Sequence, residues 1–341
     1  MSLPVTRAQV LGFRRAVSAL DARLAPGPAS VRRAAAAGLK DSVPRAAVLS
    51  LHARVDGVGP RAWDEPPLVQ VWGPGFAAYA VADDDVAVFT LGRLPSDARG
   101  RRRALDTADR LVGVLGDDEL DYADAARPLG LHPNALRYAA PTGRVLIRWD
   151  GARRPTVRAA PAPDADPADA RRELLRRYLH VLGPGTAEGY AAWAGVRPPA
   201  AQAVFEALAD ELLAVTTPVG EAWALASDED ALRTGDRGPR PQGARLLPSG
   251  DTYTLLQGRD RALLVPDVGR RAQLWTPRVW PGAVLLDGEV AGTWRRAEHR
   301  VVVEAWRTLD ARERDAVELE AATLPLGLGR PTAVVWTEAP T

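Results

Sequence analysis

Between residues 137 and 158 the chain carries six arginines, Arg137, Arg144, Arg148, Arg153, Arg154 and Arg158, against one acid, Asp150. Guanidinium groups at that density suit phosphate oxygens, which they bind bidentately while condensed counterions are released. A solvated hairpin in an arginine-biased composition would read the same way, and both readings stay open. The bias is plain, since Lys40 is the single lysine among 44 basic residues. The wealth of Ala, Arg, Gly and Pro fits a GC-rich genome that drifts lysine codons to arginine. A lysine that survives such drift stands out.

Other chemistry is missing from the sequence. There is no cysteine, which excludes disulfides, a thiolate nucleophile and cysteine-based zinc sites. Neither GxxxxGK[ST] nor GxGxxG occurs, so nucleotide binding lacks its phosphate cradle. Without GxSxG a serine hydrolase is unsupported. HExxH is absent, and His52, His132, His180 and His299 are far apart, which reads as packing or surface histidines rather than ligands. No metal and no cofactor are expected.

Composition is ordinary for a folded chain, 46% hydrophobic and 26% charged. A net charge of +1 means that any basic face must come from segregating charge. No apolar run approaches the roughly 18 residues of a membrane span, and MSLPVTRAQV has no apolar signal region. A cytoplasmic protein without membrane contact is expected.

The elements that must position these residues repeat a pattern of helices followed by paired strands. Pro/Gly/Asp-rich linkers at 159–167 and 235–243, with a softer boundary at 95–103, divide the chain. The first unit, 1–95, reads as helices over 6–20, 30–39 (with Ser30 as N-cap) and 44–55. Strands follow at 69–72, 76–81 and 86–90. The second, 96–160, has helices over 104–115, 122–129 and 133–139 and strands at 145–149 and 156–159, joined around Asp150-Gly151. The third, 166–235, has helices over 168–182, 186–194 and 199–209 and strands at 213–217 and 222–226. The fold class is therefore α/β in content: three tandem winged helices and a small β-rich C-terminal domain over 244–341. That last domain has a hairpin turn at Asp287-Gly288, a helix over 311–322 and a final strand over 333–336.

Three segments carry a family resemblance. LLRRYLHVLGPGTAEGYAAWAGVRPPAAQAVFEAL (174–208) is similar to the third winged helix of the AlkZ/YcaQ type of bacterial DNA glycosylase. SGDTYTLLQGRDRALLVPD (249–267) resembles that family's Asp-x-Tyr … Arg-Asp-Arg segment, carried by Asp251, Tyr253, Arg259, Asp260 and Arg261. PGAVLLDGEVAGTWRR (281–296) resembles its Asp-Gly … Gly-x-Trp hairpin. Order and spacing together make the resemblance specific over nearly the whole chain. It implies a protein with no metal and no cofactor and a basic channel for double-stranded DNA. Arg259 and Arg261 are expected among the DNA contacts, and the absence of heptads or an exposed apolar helix leads to the expectation of a monomer. The resemblance also implies excision of alkylated or bulky bases, in general repair or in resistance to a self-made genotoxin.

The family's catalytic Gln-x-Gln motif falls here on Lys40, Asp41 and Ser42, so both glutamines are replaced. Its usual Arg-Gly-Thr-x-His run falls on Gly75, Phe76, Ala77 and Tyr79. Three readings of Lys40-Asp41-Ser42 remain. Leu39 ends one helix and Ser42 caps the next, with Asp41 at its positive end. Alternatively, the lysine amine attacks C1′ while the carboxylate stabilises the oxocarbenium-like state. Finally, catalysis is lost and the protein is a non-catalytic DNA-binding regulator or lesion binder; a protein-interaction scaffold is a further alternative.

Overall fold

The computed structural model describes residues 2–151, 154–237, 242–297, 300–326 and 332–337. Among the described residues helices and strands are mixed, with the strands divided among four small sheets. Among the described residues no helix is long and apolar enough to cross a membrane.

The first helix, Arg7–Val17, forms where Val10, Phe13 and Val17 share one stripe. Thr6 and Gln9 close a reciprocal capping box at its start. The second helix is shorter than its sequence suggested. It spans Pro28–Ala34, because Gly27-Pro28 sets the entry rather than Ser30. The chain then turns at Gly38, with φ +72°, and Leu39–Lys40 becomes a strand. That strand pairs with Ala78–Ala82, itself paired with Leu68–Trp72. Residues 86–90, expected as a strand, form the helix Val86–Thr90. VAVFT reads as a buried strand, but a short apolar run cannot by itself separate strand from helix. The helical turn Asp83–Asp85 leads into it, and Phe89 is buried.

The next sheet joins Glu119–Asp121, Thr156–Ala159 and Val145–Arg148. The helix before it, Ala98–Leu115, starts six residues earlier than expected. Asp97 caps it by accepting from the Gly100 backbone at 2.8 Å, and arginine is a good helix former. The expected helix at 133–139 is a tighter three-residue-per-turn helix, Pro133–Thr142.

Helices Pro167–Leu182, Ala187–Ala194 and Pro198–Ala207 precede the hairpin Leu212–Thr217 and Gly220–Leu225. The chain's first strand, Leu3–Pro4, adds to that hairpin in parallel, Leu3 opposite Val215. The last sheet holds Ala244–Leu247, Gly282–Leu286, Glu289–Ala297, Arg300–Ala305 and Ala333–Thr337. Asp287 and Gly288 turn between its strands with φ of 48° and 85°, the positive pair that a tight hairpin favours. The parallel final strand requires a crossover. Helix Ala311–Ala322 supplies it, burying Val317 and Ala321.

Shared cores lock these pieces together. Tyr79 and Phe89 pack in one cluster with Tyr178, Tyr190, Trp193 and Phe205. Leu11 and Ala53 pack in another with Leu247, Tyr253 and Leu285. Between them Arg54 donates twice to Asp251, each bond 2.8 Å long and both side chains buried. This pair ties the end of helix Ala46–His52 to the segment that follows residue 247, and Thr252 Oγ1 donates to the Gly38 carbonyl at 3.0 Å, next to the Lys40 strand.

Candidate functional site

Lys40 stands opposite Tyr79 in its strand pair. Its side chain runs along Gly250, where a Cβ would sit 3.1 Å from Lys40 Cδ. The amine ends 5.7 Å from the centre of the Trp280 ring. Arg261 approaches the same ring, with Cζ at 5.4 Å, and also Trp275 at 5.1 Å. Its Nε donates to the Leu256 carbonyl at 3.0 Å. Two of the residues singled out in the sequence therefore meet at one tryptophan. Burial lowers the pKa of the Lys40 amine below the ordinary lysine value, and lowers that of Arg261 as well. Among the described residues no carboxylate forms an ion pair with Lys40; the ring face is its electrostatic partner.

Asp41 is engaged elsewhere. Successive side chains of an extended chain point to opposite faces, and Asp41 turns away from Trp280 into the protein. Its Oδ1 accepts from the Ala47 backbone at 3.1 Å and its Oδ2 from Gln70 Nε2 at 2.8 Å. Gln70 also donates to the Trp149 carbonyl and accepts from the Trp149 backbone, at 3.1 and 2.6 Å. Burial pushes the Asp41 carboxyl up to about 6, against the opposing pull of the Ala47 N–H, Gln70 and Arg45. Sequence reasoning missed Gln70, because nothing local marks a strand glutamine as the link between Asp41 and a distant hairpin.

The helix-cap reading is corrected in part. Leu39 ends no helix, and Ser42 is exposed and caps nothing among the described residues. The next helix, Ala46–His52, begins after Arg45 in the left-handed conformation, φ 68°. Asp41 does meet that helix, through Ala47.

The arginines divide sharply. Arg148 forms a bidentate pair with Asp64 at 2.6 and 3.0 Å and lies 5.6 Å from the Trp63 ring. Arg144 pairs with Asp109. Arg137 donates to Asn134 at 2.9 Å, and Arg259 to the Glu221 carbonyl. Arg154 and Arg158 are exposed and have no ion pair among the described residues; Arg153 lies outside the described residues. The sequence reading passed over Arg99, Arg101, Arg102 and Arg103 as a soft boundary. All four are exposed on helix Ala98–Leu115. Four basic residues in five are a recognisable nucleic-acid signal.

A family model described as DNA glycosylase AlkZ-like matches residues 31–325. The chain belongs to the AlkZ-like DNA glycosylase family. A similar curated protein is the interstrand DNA cross-link repair glycosylase of Streptomyces sahachiroi, 28% identical over 163 residues. The match spans 46% of this chain and 42% of that protein. The solved structure of the Streptomyces sahachiroi DNA glycosylase AlkZ superposes with a TM-score of 0.77 at 18% identity. It covers 98% of this chain and 100% of that one, a likeness of fold.

Several residues behind the resemblance to AlkZ-like proteins do structural work here. Asp251 holds Arg54 and also accepts from the Tyr253 backbone at 2.9 Å. Tyr253 lies under the buried Arg14, 5.0 Å from guanidinium carbon to ring centre. Asp260 is buried, and its carboxyl is held above the usual range by desolvation despite Arg14 and Arg259. Trp294 donates its indole N–H to the Leu247 carbonyl at 2.8 Å, and Gly282 leaves it room.

Proposed function

We propose that this AlkZ-like protein binds double-stranded DNA carrying alkylated or bulky adducts and releases the modified base with the Lys40 amine as nucleophile. Its three helix-and-hairpin units act as winged helices, the last sheet as a β-rich C-terminal domain, and the protein works as a monomer. The observation that carries the reading is an amine, half-buried and with no ion pair among the described residues, at the position where the family resemblance implies catalysis. A neutral amine is the reactive form, and burial favours it.

The chemistry balances without a general acid for the leaving group. Alkylation of a purine ring nitrogen leaves the base cationic. The base departs with the electron pair of the glycosidic bond and becomes neutral. The Lys40 lone pair forms the new bond to C1′, and the nitrogen loses a proton to water. Protonation of the ring oxygen then opens the sugar, leaving an imine between Lys40 and C1′. Asp41 takes no step, since its oxygens are held by Ala47 and Gln70. Ser42 is assigned none either.

Borohydride added to protein and alkylated duplex should reduce the imine and give a covalent protein–DNA adduct. Lys40→Arg keeps the charge but removes the nucleophile, and should abolish the adduct while sparing binding. Adduct formation should rise with pH as the amine deprotonates. An adduct that persists in Lys40→Arg overturns the assignment of the nucleophile. Binding without any adduct or released base supports the second reading, a non-catalytic lesion binder. That reading is favoured by the internal bonds of Asp41 and by the packing of Lys40 on Trp280.

A further inference from the structure

We propose that the N-terminal turns of helix Ala98–Leu115 form the principal DNA-backbone contact of this protein, ahead of the arginine-rich hairpin at 145–159. The proposal rests on the duplex-binding reading above and names the surface that serves it. Arg99, Arg101, Arg102 and Arg103 are exposed, and none forms an ion pair among the described residues. Asp106, one turn on from Arg102, is exposed too and closes no bridge to it. Asp109, further along the helix, is already taken by Arg144.

Their position is electrostatically adverse to the fold. The N-terminal end of a helix carries the positive end of its dipole, which disfavours cations. Arg99 stands three and four residues from Arg102 and Arg103, spacings at which like charges repel along a helix. Asp97 opposes this in part, capping the helix through the Gly100 backbone. An arginine merely substituted for lysine by codon drift would inherit the same repulsion, so drift does not explain a cluster placed here. A dense row of phosphates removes it, because each contact supplies the missing anion and releases counterions.

The run is also joined to the Lys40 region. Arg103 stacks on Tyr138 at 3.3 Å, and Tyr138 meets Phe76 edge-on at 6.0 Å. Phe76 leads directly into Ala78–Ala82, the strand that pairs with Lys40. A duplex held on the arginines is thus linked through these side-chain contacts to the strand beside the amine.

The test compares the full chain with Arg99→Gln/Arg101→Gln/Arg102→Gln, leaving the Arg103 stack intact. Binding of an unmodified duplex is titrated across salt, with thermal unfolding measured in parallel. With about 0.9 counterion released per phosphate contact, the slope of log K against log[salt] should become shallower by roughly 2 to 3. The melting temperature should hold or rise, because the substitutions relieve repulsion; a structural role for these arginines would lower it. An Arg154→Gln/Arg158→Gln variant, which removes the exposed arginines of the hairpin, should change the slope less. An unchanged slope in the triple variant, or a larger loss in the hairpin variant, overturns the proposal and leaves duplex binding standing. Absence of duplex binding by the unaltered protein at about 50 mM salt overturns both.

Discussion

Two helices of this protein are rich in arginine and use it in opposite ways. In Pro167–Leu182, Arg172 pairs with Asp169, Arg176 with Glu173 and Glu211, and Arg177 with Glu173 and Asp85. Arg171 donates to the Leu94 carbonyl at 2.9 Å. That helix spends its guanidinium groups on internal partners and stands among the shared cores. In Ala98–Leu115 the leading arginines point to solvent without acids, at the end of the helix where cations are least welcome. Arginine content alone would rank the two alike. The arrangement of the acids separates them, and only the unpaired set is available to an external anion.

The comparison can be pressed hardest at its buried extreme. Arg54 and Asp251 form a pair closed to solvent. Removing one partner strands a buried charge, so Arg54→Ala should cost about 3–5 kcal/mol in urea unfolding. A loss below about 1 kcal/mol would show that this pair does not anchor the end of helix Ala46–His52 to the segment after residue 247.

Asp41 extends the contrast to an acid that is spent internally, and its signature is pH. The folded protein holds the Asp41 proton up to about 6, whereas the ordinary aspartate value is 3.8. Between those values the folded state binds a proton that the unfolded chain has released, so stability falls as pH rises through the window. Asp41→Asn cannot titrate, and its own hydrogen-bond mismatch with Gln70 is independent of pH. The stability of the unaltered protein relative to Asp41→Asn should therefore drop by on the order of 2–3 kcal/mol from pH 4 to pH 7. A constant difference across that range would mean that Asp41 ionises freely in the folded state.

A smaller effect is expected from converting paired arginines into unpaired ones. Glu173→Gln/Glu211→Gln frees Arg176 and removes one partner of Arg177. If unpaired guanidinium is what DNA reads, duplex affinity should rise and the salt slope steepen by up to about 1. An unchanged affinity and slope would place this helix away from the DNA. The least change belongs to Arg176→Gln, deletion of a partly exposed ion pair. Its stability should fall by no more than about 1 kcal/mol, and duplex affinity should stay within about twofold.

Much of the fold was readable where periodicity and turn chemistry agree. The Asp287-Gly288 dipeptide marked its hairpin in the sequence, and the structure gives both residues positive φ; the helix expected over 311–322 is Ala311–Ala322, capped by Asp310. Residues 86–90 were misread because VAVFT satisfies a strand pattern and a buried helix equally. The site was less readable. Lys40 was conspicuous by its rarity, but Trp280 and Gln70 were not, since each acts on a partner remote in the chain.

The sequence by itself determined which residue types exist: one lysine amine, no thiol and a large surplus of arginine. It also set the order of motifs that places the chain in its family, because those are properties of residue identity and spacing. Only the tertiary structure decided that Lys40 and Asp41, neighbours in the chain, face different surroundings. It alone decided which arginines find acids, and that Leu3–Pro4 joins a sheet built near residue 215. Pairing and burial depend on three-dimensional separation, and the local pattern of a chain does not encode distances between segments that meet only on folding.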